Sequence, residues 1–295
     1  MRKKIKHIVY QVFNPSFSWR PKEGLDSLKR KMNIYFKTHK KIGEKYREEL
    51  EFINRVSKDT YSWIFPYPYI KSLSIEDIPV FFNSDKNLHY VIHNDKRLYF
   101  KKEINTEEKV RIAYYCACIE QHEESPHCYL NEEFNIQRGV VLDVGAAEGI
   151  LGLEHIEKID KLYLFEAQKE WIEALEATFE PWKDKVIIIN KYVSDVDFND
   201  DIRLDTIIKD DSIELVKIDV EGAEQKIFLG GNNVLKRTRK LCVCTYHNDG
   251  DEKKFKDYLE KMGFNLSYSD GYTLFIMSKL YPPYFRKCLI RGHKI

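Results

Sequence analysis

The chain has 295 residues, 43% hydrophobic and 32% charged, which is long enough and apolar enough for a sizeable packed core. No apolar run approaches the roughly 18 residues of a membrane span, and no apolar stretch or small-residue cleavage site follows the basic opening MRKKIKHIVY. A transmembrane helix and a secretory signal are therefore excluded, and a cytoplasmic location is expected. Net charge is +1 but uneven: residues 1–50 hold 14 Lys and Arg against 5 Asp and Glu, leaving the remainder at −8. The basic segment carries no nucleic-acid motif, so it reads first as a solvated helical face, with peripheral contact to an anionic membrane as the sharper alternative. Six cysteines occur, four of them as two C-x-C pairs inside the apolar runs YYCACI and LCVCTY. They read as small buried hydrophobes, neither a zinc knuckle nor a disulfide framework.

From Leu25 to Val56 the apolar spacing is helical, and SWIFPYPYI then breaks it with two prolines. PVFFN, LHYVIH and RLYFKK, between Ile78 and Lys102, predict short strands separated by turn residues. Thr106 to Gln121 predicts a helix, with Glu107 and Glu108 favourable at its start. From Gly139 strands and helices alternate. VVLDV, KLYLFEA, KVIIIN, ELVKIDV and KLCVCTYH predict strands, and helices follow four of them. FNLSYS and YTLFIM predict a closing pair of adjacent strands. This pattern demands an α/β fold: a doubly wound, mostly parallel sheet with an antiparallel C-terminal strand pair. We place a boundary near Glu133, separating a smaller N-terminal region of helices and short strands (1–132) from the ligand-binding domain (133–295).

The strand VVLDV runs into GAAEG, a turn of small residues that opens a helix. In such sheets the ligand lies beyond the carboxyl ends of the strands. A phosphate-binding P-loop is excluded, since Gly145 to Gly152 contains no lysine. A dinucleotide fingerprint needs a glycine where the chain has Ala147. S-adenosylmethionine, which has no phosphates, needs only a small, closely packed turn. Glu166, at the end of the next strand, stands where a carboxylate takes ribose hydroxyls.

A sharper signal is VKIDVEGAE, residues 216–224. With VLDVGAAEG, the RLDTII segment and the strand ending at Tyr246-His247, it resembles the FkbM family of S-adenosylmethionine-dependent methyltransferases. The resemblance runs from about Val141 to Phe275. The stretch EQHEESPHCYL resembles a subset of that family from surface-polysaccharide clusters. It implies a Rossmann-like methyltransferase fold and methyl transfer to a hydroxyl, often of a sugar in a polysaccharide or related glycoconjugate. By the same resemblance Asp143, Gly145, Ala147, Glu148 and Gly149 line the methionine end of the cofactor. Glu166 takes the ribose, Ser194 and Asp195 lie by the adenine, and Asp219 and Glu221 face the reacting end. The chain departs from the family's E-x-H pattern in having Thr245 before Tyr246-His247.

A sugar hydroxyl is a poor nucleophile at neutral pH, so a base should assist. His247 is the expected general base, with Asp219 positioning the acceptor or the cofactor's amino group and Glu221 beside them. A divalent metal held by Asp219, Glu221 and Asp249 or His247 is a less favoured route, and no metal site is assigned. Ser125-Pro126-His127 forms a second cluster able to close over the cofactor. Tyr284 and Arg286, in the tail YPPYFRKCLIRGHKI, either cap an acceptor pocket or pack an edge. A dinucleotide-dependent oxidoreductase and a non-catalytic scaffold are the alternatives. A small-molecule or saccharide acceptor is expected rather than nucleic acid.

Overall fold

The computed structural model describes residues 24–56 and 64–294. The basic opening MRKKIKHIVY, and Ser62 and Trp63 of the proline-rich stretch, lie outside the described residues. The continuous helix expected over 25–56 is three: α1 (Leu25–Thr38), α2 (Lys40–Lys45) and α3 (Arg47–Arg55), with non-helical breaks at His39 and Tyr46. Strands β1 (Phe81–Asn83), β2 (Leu88–His93) and β3 (Lys96–Tyr99) form a small antiparallel sheet. Helix α4 (Glu107–Glu120) follows, capped by the Thr106 hydroxyl, which accepts from Lys109 N.

Alternation then proceeds through β4 (Gly139–Val144), α5 (Ile150–His155), β5 (Ile159–Phe165), α6 (Ile172–Phe179) and β6 (Val186–Ile189). A two-residue ladder, β7 (Tyr192–Val193) with β8 (Asp201–Ile202), and the single-turn α7 (Leu204–Ile207) lead into β9 (Ile213–Ile218). Then come α8 (Glu224–Gly230), α9 (Asn232–Lys236), β10 (Thr238–Cys244), α10 (Asp251–Lys261), β11 (Asn265–Tyr268) and β12 (Leu289–His293). The main sheet has the order β11-β12-β10-β9-β4-β5-β6. From β10 to β6 the pairings are parallel, and β12 runs antiparallel to both β10 and β11.

The expected α/β sheet is present, with one correction. Tyr272–Met277 is not a strand and makes a single bridge, Thr273 with Arg286. The partner of β11 comes from the tail, at Leu289–His293. LIRGH wins because it lies between two strands and is buried at four of its five positions. The segment 272–277 instead buries Leu274 and Ile276 against α1 and α3.

Central parallel strands are covered on both faces, so they read as unbroken apolar runs. Alternate residues serve opposite layers. Val141, Leu162 and Leu215 join a core with α4, α5, α6 and the small sheet. Leu142, Tyr163 and Val216 join a second core with α8, α9 and α10. The first core is continuous across residue 133: Leu98, Phe100 and Val110 pack with Leu153, Leu175 and Phe179. Tyr99 N donates to the Thr178 hydroxyl across this junction. Among the described residues no helix is long and apolar enough to cross a membrane.

Candidate active site

The carboxyl ends of β4, β5, β9 and β10 open on a cavity of about 420 Å³. Its floor is the turn after β4. Gly145 has φ +85°, and a Cβ there would stand 1.8 Å from the carbonyl oxygen of Asp219. Only glycine lets β4 and β9 approach this closely at their ends. Gly145 N and Ala146 N donate to Phe165 O, and Ala147 N donates to a Glu166 carboxylate oxygen at 2.9 Å. Gln168 N donates to the other Glu166 oxygen at 2.7 Å. Glu166 is thereby held rigidly at the cavity edge, and burial lifts its pKa against those two donors.

Lys217 is a lysine inside a buried strand. A buried charge needs a partner, and register supplies it: Asp143 on β4 pairs across to Lys217 on β9, Nζ to Oδ1 2.9 Å. Lys217 also donates to Gly145 O. Burial opposes its charge, but Asp143 and Asp219 outweigh that and hold it protonated. Glu148 lines the cavity, and burial pushes its pKa up to about 7.

Asp219, just past β9, is the hub. Tyr129 OH donates to its Oδ2 at 2.6 Å, His127 Nε2 lies 3.4 Å from the same oxygen, and His247 Nε2 lies 3.4 Å from Oδ1. Burial disfavours the Asp219 charge, but the bond with His127 and the charges of His247, His127 and Lys217 prevail. They hold its pKa well below the carboxylate range. The turn Val220-Glu221-Gly222 has Glu221 at φ +57°, a left-handed conformation uncommon for a non-glycine residue. The fully buried Glu224 steadies that turn: its Oε1 accepts from Gly222 N and from His247 Nδ1, the latter at 2.7 Å. Burial would lower the His247 pKa, but Glu224, Asp219 and Glu221 raise it to about 9. A chain of buried groups thus runs Glu224–His247–Asp219 and ends at the cavity wall.

Asp143, Gly145, Ala147, Glu148, Glu166, Asp219 and Glu221 all line one cavity. Gly149 stands behind it as the left-handed residue before α5, where a Cβ would meet Phe179 and Leu175. His247 stands behind Asp219, off the cavity lining. Ser194 and Asp195 are also off it; Lys191, Tyr192 and Val193 line that end. Ser194 is buried with its carbonyl against Gly230. Tyr284 packs against Tyr35 and Phe36 of α1, and Arg286 donates to the carbonyls of Tyr246 and His247. The tail therefore packs an edge and holds the end of β10. Its cap over the cavity comes instead from Phe275 and Met277, with Ile64, Phe65 and Tyr246.

Sequence reasoning missed Tyr129, Lys217 and Glu224. A lysine in the apolar run ELVKIDV was the readable signal for an ion pair. Tyr129 carried none, because its role depends on a contact 90 residues away.

The FkbM methyltransferase domain model matches residues 73–269. The chain belongs to the FkbM methyltransferase family. Among solved structures, an FkbM methyltransferase from Methylobacillus flagellatus aligns at 16% identity and TM-score 0.45. That alignment covers 63% of this chain and 54% of the other, about half its length. An rRNA methylase from Streptococcus thermophilus aligns at 13% identity and TM-score 0.39, over 54% of this chain and 89% of the other. A tRNA (m1A22) methyltransferase assigned from Streptococcus pneumoniae, in complex with S-adenosyl-L-methionine, aligns at 16% and 0.38, over 55% and 69%. No curated protein matches the chain.

Among the described residues, two groups of side chains could hold a metal, His127/Asp219/Cys244 and Asp219/Glu224/His247. In both, the Asp219 and histidine atoms already face one another at ion-pair distance, and Asp219 Oδ2 also accepts from Tyr129.

Proposed function

We propose that this family member is an S-adenosylmethionine-dependent O-methyltransferase whose acceptor is a hydroxyl, that of a saccharide or related small glycoconjugate. The donor set fits the cofactor. Asp143, Glu148, Glu166, Asp219 and Glu221 surround a cavity whose cationic lining residues are Lys191 and Lys217, the latter paired to Asp143. Carboxylates suit a ligand carrying a sulfonium and an ammonium and lacking phosphates. The same lining disfavours a phosphate-bearing dinucleotide, and it supports a small acceptor over a nucleic-acid backbone.

When bound, the cofactor supplies an electrophilic methyl on sulfur. Glu166 is positioned to accept from ribose hydroxyls, and Glu148 and Asp219 to meet the amino group. Methyl transfer is a positioning task, and a hydroxyl acceptor must also lose a proton. The observation that carries the reading is the Glu224–His247–Asp219 chain. Asp219 Oδ1 accepts the hydroxyl's hydrogen bond at the wall. His247, oriented by Glu224, takes the proton at Nε2 by way of Asp219. His247 must be neutral to do so, and the arrival of a cationic ligand beside Asp219 and Glu221 lowers its pKa toward the working range. Tyr129 and His127 fix Asp219 in place. This reading gives the proton to His247 and needs no metal; the rate is expected to survive exhaustive chelation.

Calorimetric titration with S-adenosylhomocysteine, with NADH as control, tests the cofactor. Binding that weakens about tenfold or more in Glu166→Ala, about 1.4 kcal/mol and so on the order of one lost charged hydrogen bond, supports the reading. Preference for NADH, or no binding at all, would overturn it in favour of the oxidoreductase or the scaffold. Methyl transfer from labelled cofactor to a panel of saccharides, beside RNA, then tests the acceptor.

A further inference from the structure

The helices at the start of the described chain present a face that the cavity chemistry does not use. Between Leu25 and Lys45 there are seven Lys and Arg against two acidic side chains. Helix α1 buries Leu25, Leu28, Met32 and Phe36 on one side. Its opposite side is centred on Ile34, which is 63% exposed, and Ile42 of α2 is 37% exposed. At about 100° per residue, Arg30 and Lys37 lie within roughly 60° of Ile34. Lys37, Lys40 and Lys41 are all exposed. An isoleucine at the centre of a basic face is out of place on a helix built only for solvation. Apolar residues among lysines suit a surface that is anionic outside and apolar a few ångströms below.

We propose that the outer face of α1 and α2 docks on an anionic lipid bilayer. The lysines meet the headgroups, and Ile34 and Ile42 enter the acyl boundary. The inner face of α1 packs on Leu274, Ile276, Tyr284 and Phe285. Phe275 and Met277, from the segment 272–277, form part of the apolar wall of the cavity. Docking therefore sets this wall one helix thickness from the membrane, where an acceptor carried on lipid would arrive. The binding surface itself does not depend on the methyl-transfer reading.

The test is co-sedimentation of the full chain with vesicles of phosphatidylglycerol and phosphatidylcholine, against phosphatidylcholine alone. Calorimetry with S-adenosylhomocysteine on the same samples reports the cavity separately. Expected are binding to the anionic vesicles only, weakening with salt, and a loss of about tenfold or more in the triple variant Lys37→Glu, Lys40→Glu, Lys41→Glu. Ile34→Asp is expected to weaken binding at low salt as well, and both variants to keep wild-type S-adenosylhomocysteine affinity. Equal sedimentation with both vesicle types, or a triple variant that binds as the wild type does, would overturn the proposal. So would tight binding to an RNA oligomer with none to vesicles, which would make the face a nucleic-acid surface.

Discussion

Three carboxylates, Asp219, Glu221 and Glu224, face His247 and govern its titration. Its pKa is about 9 in the folded protein against 6.5 for the free side chain. If it takes the acceptor's proton, kcat/KM, which reports the free enzyme, should rise with pH through about 9 and level off only above it, while kcat, which reports the liganded complex, should rise over a lower range. His247→Gln should flatten that rise and lower turnover by a factor on the order of 10² or more, leaving S-adenosylhomocysteine affinity intact. A rate that falls above pH 8 would mean that the imidazolium is needed instead. Glu148 gives a second titration. Burial raises its pKa from 4.5 to about 7, so it is protonated below that point in the empty cavity. Cationic ligand binding should therefore tighten as pH rises from about 5.5 to 7.5, and Glu148→Gln should remove the trend, as calorimetry across that range will report. At this scale the sequence was partly legible. Asp143, Glu166 and Asp219 end strands that apolar runs announce, so their place at the cavity could be read from the runs. The hydrogen bond from Tyr129 and the buried pair of His247 with Glu224 join residues 90 and 23 positions apart, and no local pattern encodes those distances.

The main strands from Gly139 to Cys244 and the longer helices between and after them were legible because parallel strands covered on both faces read as apolar runs; the short β7–β8 ladder, α7 and α9 carried no such signal. The order failed at the edge. YTLFIM has the composition of a strand, yet LIRGH, with an arginine and a glycine, takes the place beside β10. What admits the arginine is partnership: Arg291 Nε and Nη2 donate to the carbonyls of Tyr129 and Cys128. Those bonds tie the residue that holds Asp219 to β12. Arg291→Met should strand both carbonyls and cost about 2–3 kcal/mol of stability, read from chemical denaturation. It should also lower turnover more than cofactor affinity, because Tyr129 is loosened. At the opposite edge of the cavity, Gly145→Ala should cost roughly 2–4 kcal/mol or abolish ligand binding, since its Cβ has no space beside Asp219.

Taken whole, the molecule packs its N-terminal layer into the sheet's own core. Phe65, Phe100 and Ile112 share one apolar cluster with Leu164 and Leu175, and His127 and Tyr129 reach the hub aspartate from that layer. The boundary near Glu133 marks a change of rhythm in the sequence; we propose that it is not a line along which the protein separates. A fragment of residues 133–295 should fail to bind S-adenosylhomocysteine, and the full chain should unfold in one transition by both fluorescence and circular dichroism. An independently folded, ligand-binding fragment would refute this. The whole molecule also has a pH signature. His247 is more basic folded than unfolded, so its contribution to stability is complete below about pH 6.5 and is lost as pH rises through 9. The melting temperature should fall over that window, and His247→Gln should blunt the fall.

Strand β12 is inserted between two strands that precede it in the chain. During vectorial synthesis β10 emerges well before Leu289, and its outer edge then has no neighbour. Without β12 the apolar ladder LCVC of β10 is bare on that side. The sheet is completed near one end by a strand made after both of its neighbours. Until Leu289–His293 is seated, the outer edge of β10 is open to pairing with another chain, and a chain cut before Leu289 should aggregate where the whole chain stays monodisperse by light scattering.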